Sequence, residues 1–275
     1  MLPYQAEAER RWHRLLAAAA YRYSSEVALL PGAVALEISR SMRLFGPWPA
    51  FAGRLREELA RLGFRHGLAA AATPQAAYVL AGWREGAAAL DERTLRAALE
   101  PLPVSRAGLP EAAADGLASM GLRSLGQVLR APRAGLRRRF GGELLQALDC
   151  LLGACPDGLP RFRPPDVFDL RLELPYEVED AAALLFPLRR LTGDLSAYLA
   201  GRDGGVQRFE LQLEHRHAPP TTVPVGLLAP EREAAMLFEL ARGRVEPMRL
   251  PEPALAMRLL AVDLPAFVPA GRDLF

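Results

Sequence analysis

Strand and helix patterns follow one another in the last hundred residues in an order that restricts the fold more than any other feature of the chain. Apolar residues recur at every second position in the strand segments and at helical spacing in the helix segments. In chain order, the pattern predicts strand Phe168–Leu174, helix Glu179–Ala200, strands Val206–His215 and Thr221–Leu228, helix Glu231–Arg244 and strand Ala254–Val262. This β-α-β-β-α-β order is that of a split βαβ sandwich. If so, Phe209, Leu211 and Leu213 face the helices.

The preceding part of the chain also mixes helices with strands. The pattern predicts, in order, helix 5–23, strands Val27–Leu30 and Val34–Ile38, helix Trp48–Leu62, strand Phe64–Ala71, a helix capped by Thr73, and a helical region over residues 108–156. Residues 161–165 contain two prolines and are expected to form a linker, because proline removes a backbone donor and favours extended backbone. The predicted fold class is therefore α+β, with several domains.

Composition excludes several classes of protein. All 34 basic residues are arginine, so lysine Schiff bases, lysine general bases and a P-loop lysine are excluded. The 2 cysteines are too few for a disulfide scaffold and fit a reducing cytoplasm. No stretch approaches the ~20 apolar residues of a membrane span, and no secretory signal is visible. We therefore expect a cytoplasmic protein without a membrane partner.

Positive charge is concentrated around a predicted helical hairpin. Met120, Gly121 and Leu122 separate two apolar helical stretches, as in a helix-hairpin-helix, whose turn directs backbone N–H groups toward a phosphate. Residues 116–142 hold 6 arginines and no acidic residue, whereas the rest of the chain carries 28 arginines and 32 acidic residues. The predicted DNA-binding residues are Gly121, Arg123, Ser124, Gly126, Arg137, Arg138 and Arg139. The alternative is a solvated hairpin used only for packing.

Four segments in order resemble the ImuB subfamily of Y-family DNA polymerases. They are Tyr-Arg-Tyr-Ser-Ser-Glu-Val-Ala-Leu from Tyr21, Ser-Met-Arg-Leu-Phe-Gly from Ser41, Arg-Phe-Gly-Gly-Glu-Leu-Leu from Arg139, and Leu-Glu-Leu-Pro-Tyr-Glu-Val-Glu from Leu172. The resemblance covers nearly the whole chain. It implies a partial palm without its first strand and fingers over 1–104, a helix-hairpin-helix thumb over 105–160, a linker at 161–166, a little finger over 167–264 and a tail over 265–275.

The resemblance also implies a function and partners. Members of this subfamily are relatives of polymerases without polymerase activity, which act as hubs in SOS-induced translesion mutagenesis. The implied partners are DNA, the sliding clamp, an error-prone C-family polymerase and a RecA-like protein of the ImuA type. Asp273, Leu274 and Phe275 resemble the end of a bacterial clamp-binding peptide, although Gly271 replaces its glutamine. The alternative for these residues is a frayed chain end.

The residues at the polymerase metal site argue against catalysis. Active relatives place an Asp-Glu pair on the second palm strand, where the resemblance aligns Gly32 and Ala33. Neither side chain can hold Mg²⁺, which requires oxygen ligands, and Glu37 aligns with a carboxylate that is not a metal ligand. We therefore expect no catalytic residue, no metal and no cofactor. Two alternatives stay open: an error-prone polymerase with unorthodox ligands, and a protein-only scaffold that does not bind DNA.

Only about 30 residues precede the aligned Asp-Glu position, whereas the family needs roughly a hundred. The chain is therefore expected to be either a fragment or a naturally reduced form, and a fragment is favoured, since a palm sheet without its edge strand would expose unpaired backbone.

Other polar clusters are expected to be structural. His215 and His217 have no spaced Cys or carboxylate to complete a zinc site, so a role at a strand end is favoured. Cys150 and Cys155 are expected to pack rather than bind zinc. Acidic residues near Glu179 begin the long helix, where its dipole favours them. Charges are mixed on the outer face of the predicted sheet, which is less basic than a DNA-gripping surface should be; they are Arg171, Glu173, Arg208, Glu210, Glu214 and Arg258.

Overall fold

The computed structural model describes residues 6–155 and 158–267, together with the side chains from residue 9 onward, and it confirms the α+β class. The helices are α1 Ala6–Ala20, α2 Ser41–Phe45, α3 Trp48–Arg61, α4 Pro74–Ala81, α5 Glu92–Leu99, α6 Glu111–Ser119, α7 Leu125–Arg130, α8 Arg133–Leu151, α9 Leu185–Gly201 and α10 Ala234–Val245. The strands are β1 Val27–Leu30, β2 Ala33–Leu36, β3 Ala69–Ala71, β4 Ala87–Ala89, β5 Phe168–Val178, β6 Val206–Glu214, β7 Thr221–Glu231 and β8 Ala254–Asp263. No helix in the described ranges is long and apolar enough to cross a membrane.

The chain divides into two compact units, and the first combines Met1–Ile38 with Arg161–Phe275. Its main sheet has the order β5-β8-β6-β7, and every neighbouring pair is antiparallel. Helices α9 and α10 supply the other half of its hydrophobic core. The predicted β-α-β-β-α-β order is therefore confirmed. Phe209, Leu211 and Leu213 are buried as expected, because alternate residues of a strand face opposite sides of the sheet.

Two details of this sheet differ from the prediction. Strand β7 extends to Glu231, past its predicted end at Leu228, and it continues through Pro224 because an edge strand tolerates a proline that lacks an N–H donor. The predicted helix from Glu179 begins instead with a 3₁₀ turn at Ala181–Leu184, where the Asp180 side chain accepts a hydrogen bond from the Ala182 N–H at 2.9 Å. Helix α9 then starts at Leu185.

Helix α1 and the β1–β2 hairpin belong to this first unit. The alanine-rich face of α1 packs so closely on α9 that a Cβ built on Gly201 would lie 2.0 Å from the Ala18 carbonyl oxygen. His13 ties α1 to the hairpin by donating from Nε2 to the Ala33 carbonyl at 2.6 Å. Glycine is therefore required at position 201 for these two helices to pack as they do.

The second unit spans Ser39–Pro160. Two short alanine strands, β3 and β4, pair in parallel, and β3 is shorter than the predicted strand from Phe64. The Thr73 hydroxyl caps α4 by accepting from the Ala76 N–H at 3.1 Å, as predicted, and it donates to the Leu151 carbonyl at 3.1 Å. One hydrophobic core joins α4 through α8, and Leu102, Val104 and Leu117 contribute to it. The predicted boundary between residues 104 and 105 lies inside this unit, and the division into palm, thumb and little finger stays a prediction.

Candidate nucleic-acid interface

Helices α6 and α7 form the helical hairpin that the sequence indicated. The chain reverses at Gly121, which adopts a φ of +82°, a value that favours glycine. Ser124 caps α7 by accepting from the Gln127 N–H, and the Gln127 side chain accepts from the Ser124 N–H at 3.1 Å. The sequence contains the signature of this capping box, a serine followed three residues later by glutamine, but the role of Gln127 was not predicted.

The backbone amides of the hairpin do not form the open phosphate site that the motif predicts. Each N–H from Gly121 to Gln127 already has an acceptor inside the second unit. The Gly121 and Leu122 amides donate to α6 carbonyls, at 3.0 Å each. The Arg123 N–H donates to the Gln127 Oε1 at 2.7 Å. A phosphate would have to displace these bonds, so any anion binding here depends on side chains rather than on the helix terminus.

Gly126, one of the predicted DNA-binding residues, packs against the segment that precedes α6. It is buried, its N–H donates to the Glu100 carbonyl at 2.9 Å, and the neighbouring Leu125 N–H donates to the Leu102 carbonyl at 2.8 Å. A Cβ at position 126 would lie 2.9 Å from the Glu100 oxygen. The start of α7 therefore sits directly on the segment that precedes α6.

The six arginines of residues 116–142, in contrast, are exposed, and five of them have no acidic partner among the described residues. Arg133 is paired with Asp149, since its Nη2 donates to both carboxylate oxygens at 2.8 Å. Within residues 6–155 and 158–267, no carboxylate lies within 4.0 Å of the other five arginines of this cluster. These five, which we call the arginine cluster, are Arg123, Arg130, Arg137, Arg138 and Arg139.

Helix geometry spreads the last three arginines over a wide arc. Arg137, Arg138 and Arg139 occupy consecutive positions of α8, about 100° apart around the axis, so they cannot all reach one phosphate. Leu136 faces the core, and the partly buried Phe140 packs against it, so the arginines take the solvent side. Gly141, with a φ of +80°, then breaks the helix. This arrangement suits contacts with several successive backbone phosphates.

Charge differs between the two units. The second unit contains 16 arginines and 11 acidic residues, a net charge of +5. The first contains 18 arginines and 21 acidic residues, a net charge of −3. The exposed side chains of Asp115 and Glu143 flank the arginine cluster in sequence, so its positive charge is local. A polyanion is attracted to the second unit rather than the first.

Ion pairs occupy the outer face of the four-stranded sheet, which carries the mixed charges that the sequence indicated. Arg258 holds Asp169 through two hydrogen bonds of 2.6 Å, and this keeps the pKa of that carboxyl below its usual range. Arg171 makes bonds of 2.8 Å to both Glu214 oxygens and one of 2.9 Å to Glu173. Hydrogen bonding to Arg171 likewise lowers the pKa of Glu214. These arginines are therefore already committed to protein carboxylates.

Gly32 and Ala33, which the resemblance aligns with the polymerase metal site, lie in the β1–β2 hairpin. Gly32 forms its turn with a φ of +65°, and Ala33 is the first residue of β2. Glu37 follows that strand, and its N–H donates to the Glu26 carbonyl at 3.0 Å. Within the described ranges, no three His, Cys, Asp or Glu side chains are grouped closely enough to hold a metal ion.

The other polar residues that the sequence singled out make hydrogen bonds or ion pairs near the ends of strands. His215 lies just beyond β6, where Nδ1 donates to the Pro253 carbonyl at 3.2 Å and Nε2 lies 2.8 Å from the Thr221 hydroxyl oxygen. Glu252 accepts from the His217 N–H at 3.0 Å. Glu177 pairs with Arg216 rather than beginning a helix. Asp273, Leu274 and Phe275 lie outside the described residues.

Cys150 and Cys155 are joined as a disulfide, which corrects the expectation of two cysteines that only pack. Helix α8 ends between them, and the turn through Gly153 brings their Cα atoms to 4.7 Å. The spacing of the two residues was visible in the sequence, but the turn that joins them was not.

Comparison with known proteins gives relatives by sequence. No protein-family model matches the chain. Proteins described as Protein ImuB from Caulobacter vibrioides, strains NA1000 / CB15N and ATCC 19089 / CIP 103742 / CB 15, are each 31% identical over 238 residues. The match covers 85% of this chain and 50% of each relative, so the chain spans about half their length. Among solved structures, DinB from Sulfolobus solfataricus matches 97% of this chain and 80% of its own, with 12% identity and a TM-score of 0.45.

Proposed function

We propose that this chain, a homologue of the ImuB proteins, is a non-catalytic DNA-binding adaptor of damage-induced translesion synthesis. The observation that carries the proposal is the arginine cluster, five exposed arginines without an acidic partner in the described parts of the second unit. The proposed parts are a partial palm over 1–104, a helix-hairpin-helix thumb over 105–160 and a little finger over 167–264. The ligand is the DNA backbone, bound without regard to base sequence.

A surface whose arginines have no carboxylate partner can bind an anion more readily than one whose arginines are already paired with carboxylates. On the outer sheet of the first unit, Arg171 and Arg258 are held by carboxylates within 3 Å, as expected of a surface that remains in water. The arginine cluster is different, because its guanidinium groups are free to exchange counterions for phosphates. Guanidinium groups suit this exchange, since their planar fork of donors matches two phosphate oxygens.

The proposed absence of polymerase activity rests on side-chain chemistry. Gly32 and Ala33 carry no side-chain oxygen, so these two positions offer no ligand to the two-metal clamp of a nucleotidyl transferase. Partners would then supply the catalysis. The proposed partners are the sliding clamp, through Asp273, Leu274 and Phe275, an error-prone C-family polymerase and a RecA-like protein of the ImuA type.

The DNA contact is tested by fluorescence anisotropy of a labelled primer-template at low salt. We expect the triple variant R137A/R138A/R139A to lose about tenfold or more in affinity. The variant makes fewer phosphate contacts, so its binding releases fewer counterions from the DNA. The control is R84A/R93A/R96A, which removes the same charge from exposed sites elsewhere in the second unit. Equal losses in the two variants would leave only net charge as the cause and would contradict the site.

A protein-only scaffold is the second candidate, and the paired charges of the outer sheet favour it. On that account, neither triple variant changes DNA binding, because the wild-type chain does not bind the primer-template at any salt concentration. The observation that distinguishes the two functions is therefore the wild-type titration itself.

A primer-extension assay with Mg²⁺ or Mn²⁺ addresses the remaining alternative, an active polymerase. We expect no templated addition. Extension that Glu37→Ala abolishes would overturn the proposed loss of catalysis.

A further inference from the structure

A groove of about 430 Å³ lies in the first unit, between the N-terminal half of α1 and the start of β5. Strand β5 is at the edge of its sheet, so the groove runs beside an edge whose far side is not paired with another strand. One wall is basic and comes from α1, and the opposite side comes from β5 and the segment that precedes it. The residues that line the groove include Arg10, Arg11, Arg14, Val167, Phe168 and Leu170.

Two arginines of the basic wall are available to a ligand. Arg10 and Arg14 are one helical turn apart on α1, so their side chains share a face, and both are exposed. In the parts of the chain that the structure describes, no carboxylate lies within 4.0 Å of either guanidinium. Arg11, between them, is anchored on the strand edge, where Nη1 donates to the Arg171 carbonyl at 3.2 Å. The groove therefore presents two cations beside an edge strand.

The acidic residue of the groove does not neutralise these arginines. Asp169 lies in the lining, but both of its oxygens accept from Arg258 at 2.6 Å. The wall thus keeps a positive potential, although the first unit as a whole has a net charge of −3. The groove therefore favours a ligand with negative charge beside Arg10 and Arg14, although the unit as a whole is acidic.

An exposed apolar side chain at the rim of the groove favours a ligand that also carries an apolar group. Phe168 and Leu170 are buried beneath the groove, and Val167 is 39% exposed at its rim. A nucleic-acid backbone has no apolar side chain to place beside Val167, and a long polyanion is repelled by the negative charge of the rest of the unit. A short peptide with both acidic and apolar side chains satisfies the basic wall and the apolar rim together.

We infer that the groove between α1 and β5 binds a short acidic peptide of a partner protein, with carboxylates on Arg10 and Arg14 and an apolar side chain beside Val167. This site is separate from the arginine cluster of the second unit and does not depend on DNA binding. It gives the first unit a protein-docking role.

The test uses a fluorescein-labelled peptide, Ser-Glu-Asp-Leu-Glu-Phe-Glu-Ser, and anisotropy with the full chain. We expect R10E/R14E to weaken binding about tenfold or more, because two attractive charges become repulsive. The matched control is R244E/R249E, which makes the same change of charge at two exposed arginines of the first unit that do not line the groove. We expect it to change affinity by less than about twofold.

Two further probes define the ligand class. A peptide with serine in place of Leu and Phe is expected to bind several-fold more weakly, and Val167→Asp is expected to weaken the original peptide likewise. A single-stranded oligonucleotide of equal charge should be insensitive to R10E/R14E. No binding of the acidic peptide, equal losses in both double variants, or an oligonucleotide that alone responds to R10E/R14E would overturn the inference. Far-ultraviolet circular dichroism verifies that each variant is folded.

Discussion

Burial shifts the pKa of Asp194, a residue of α9. It is fully buried, and Arg190, one turn earlier, donates to its Oδ2 at 3.0 Å. Its Oδ1 has no hydrogen-bond partner among the described residues. Burial raises the pKa of Asp194 from 3.8 to about 6, although the Arg190 charge opposes the shift. The folded protein therefore binds this proton more tightly than the unfolded chain does.

The sign of the resulting pH dependence follows from linkage. The contribution of Asp194 to stability is present below a pH of about 4 and is lost as the pH rises through about 6, by up to about 3 kcal/mol. We expect Asp194→Asn to remove this dependence, so that the difference in unfolding free energy between wild type and variant changes between pH 4 and pH 7. Urea unfolding measures it, with the exposed Asp263→Asn as control. A difference independent of pH would contradict the assignment.

Two glycines of α9 provide a matched pair at the level of helix packing. Gly201 meets the Ala18 oxygen, whereas a Cβ at Gly193 meets nothing within 4 Å. We expect Gly201→Ala to lower the free energy of unfolding by about 2 kcal/mol or more, because α1 and α9 must separate. Gly193→Ala should raise it by about 0.5–1 kcal/mol, since alanine restricts the unfolded chain. Equal effects in thermal or urea unfolding would show that the two helices do not pack this closely.

The disulfide at the end of α8 gives another prediction. We expect no thiol to react in the unfolded but unreduced protein, and reduction to lower the free energy of unfolding by roughly 2 kcal/mol, as for a short closed loop. The measurement is urea unfolding with and without dithiothreitol, and C150S/C155S serves as the control that should ignore the reductant. Two reactive thiols in the unreduced protein would contradict the bond.

Sequence periodicity predicted the elements whose pattern is local. Phe209, Leu211 and Leu213 alternate with charged residues, and this alternation alone identified the buried face of β6. The attachment of α1 to α9 was not predictable, since it depends on a contact between Ala18 and Gly201, far apart in the chain. Likewise, the hairpin motif was visible, but the occupation of its amides depends on Glu100 and Leu102, which precede the motif.

Considered as a whole, the chain separates its charges. The unit with the arginine cluster is net positive, and the unit with the four-stranded sheet is net negative, with its outer arginines bound to carboxylates. This division agrees with the proposed adaptor, in which the second unit binds DNA and the first binds a partner protein. The local excess of arginine is visible in the sequence, but only the structure distinguishes arginines without an acidic partner from paired ones.

The most direct test is the salt dependence of wild-type binding to a labelled primer-template, followed by fluorescence anisotropy. We predict a dissociation constant below ~10⁻⁵ M at low salt and a slope of log K against log salt of about −2 to −4, as several phosphate contacts require. Absence of binding at low salt, or an affinity that does not change with salt, would contradict the DNA-binding adaptor.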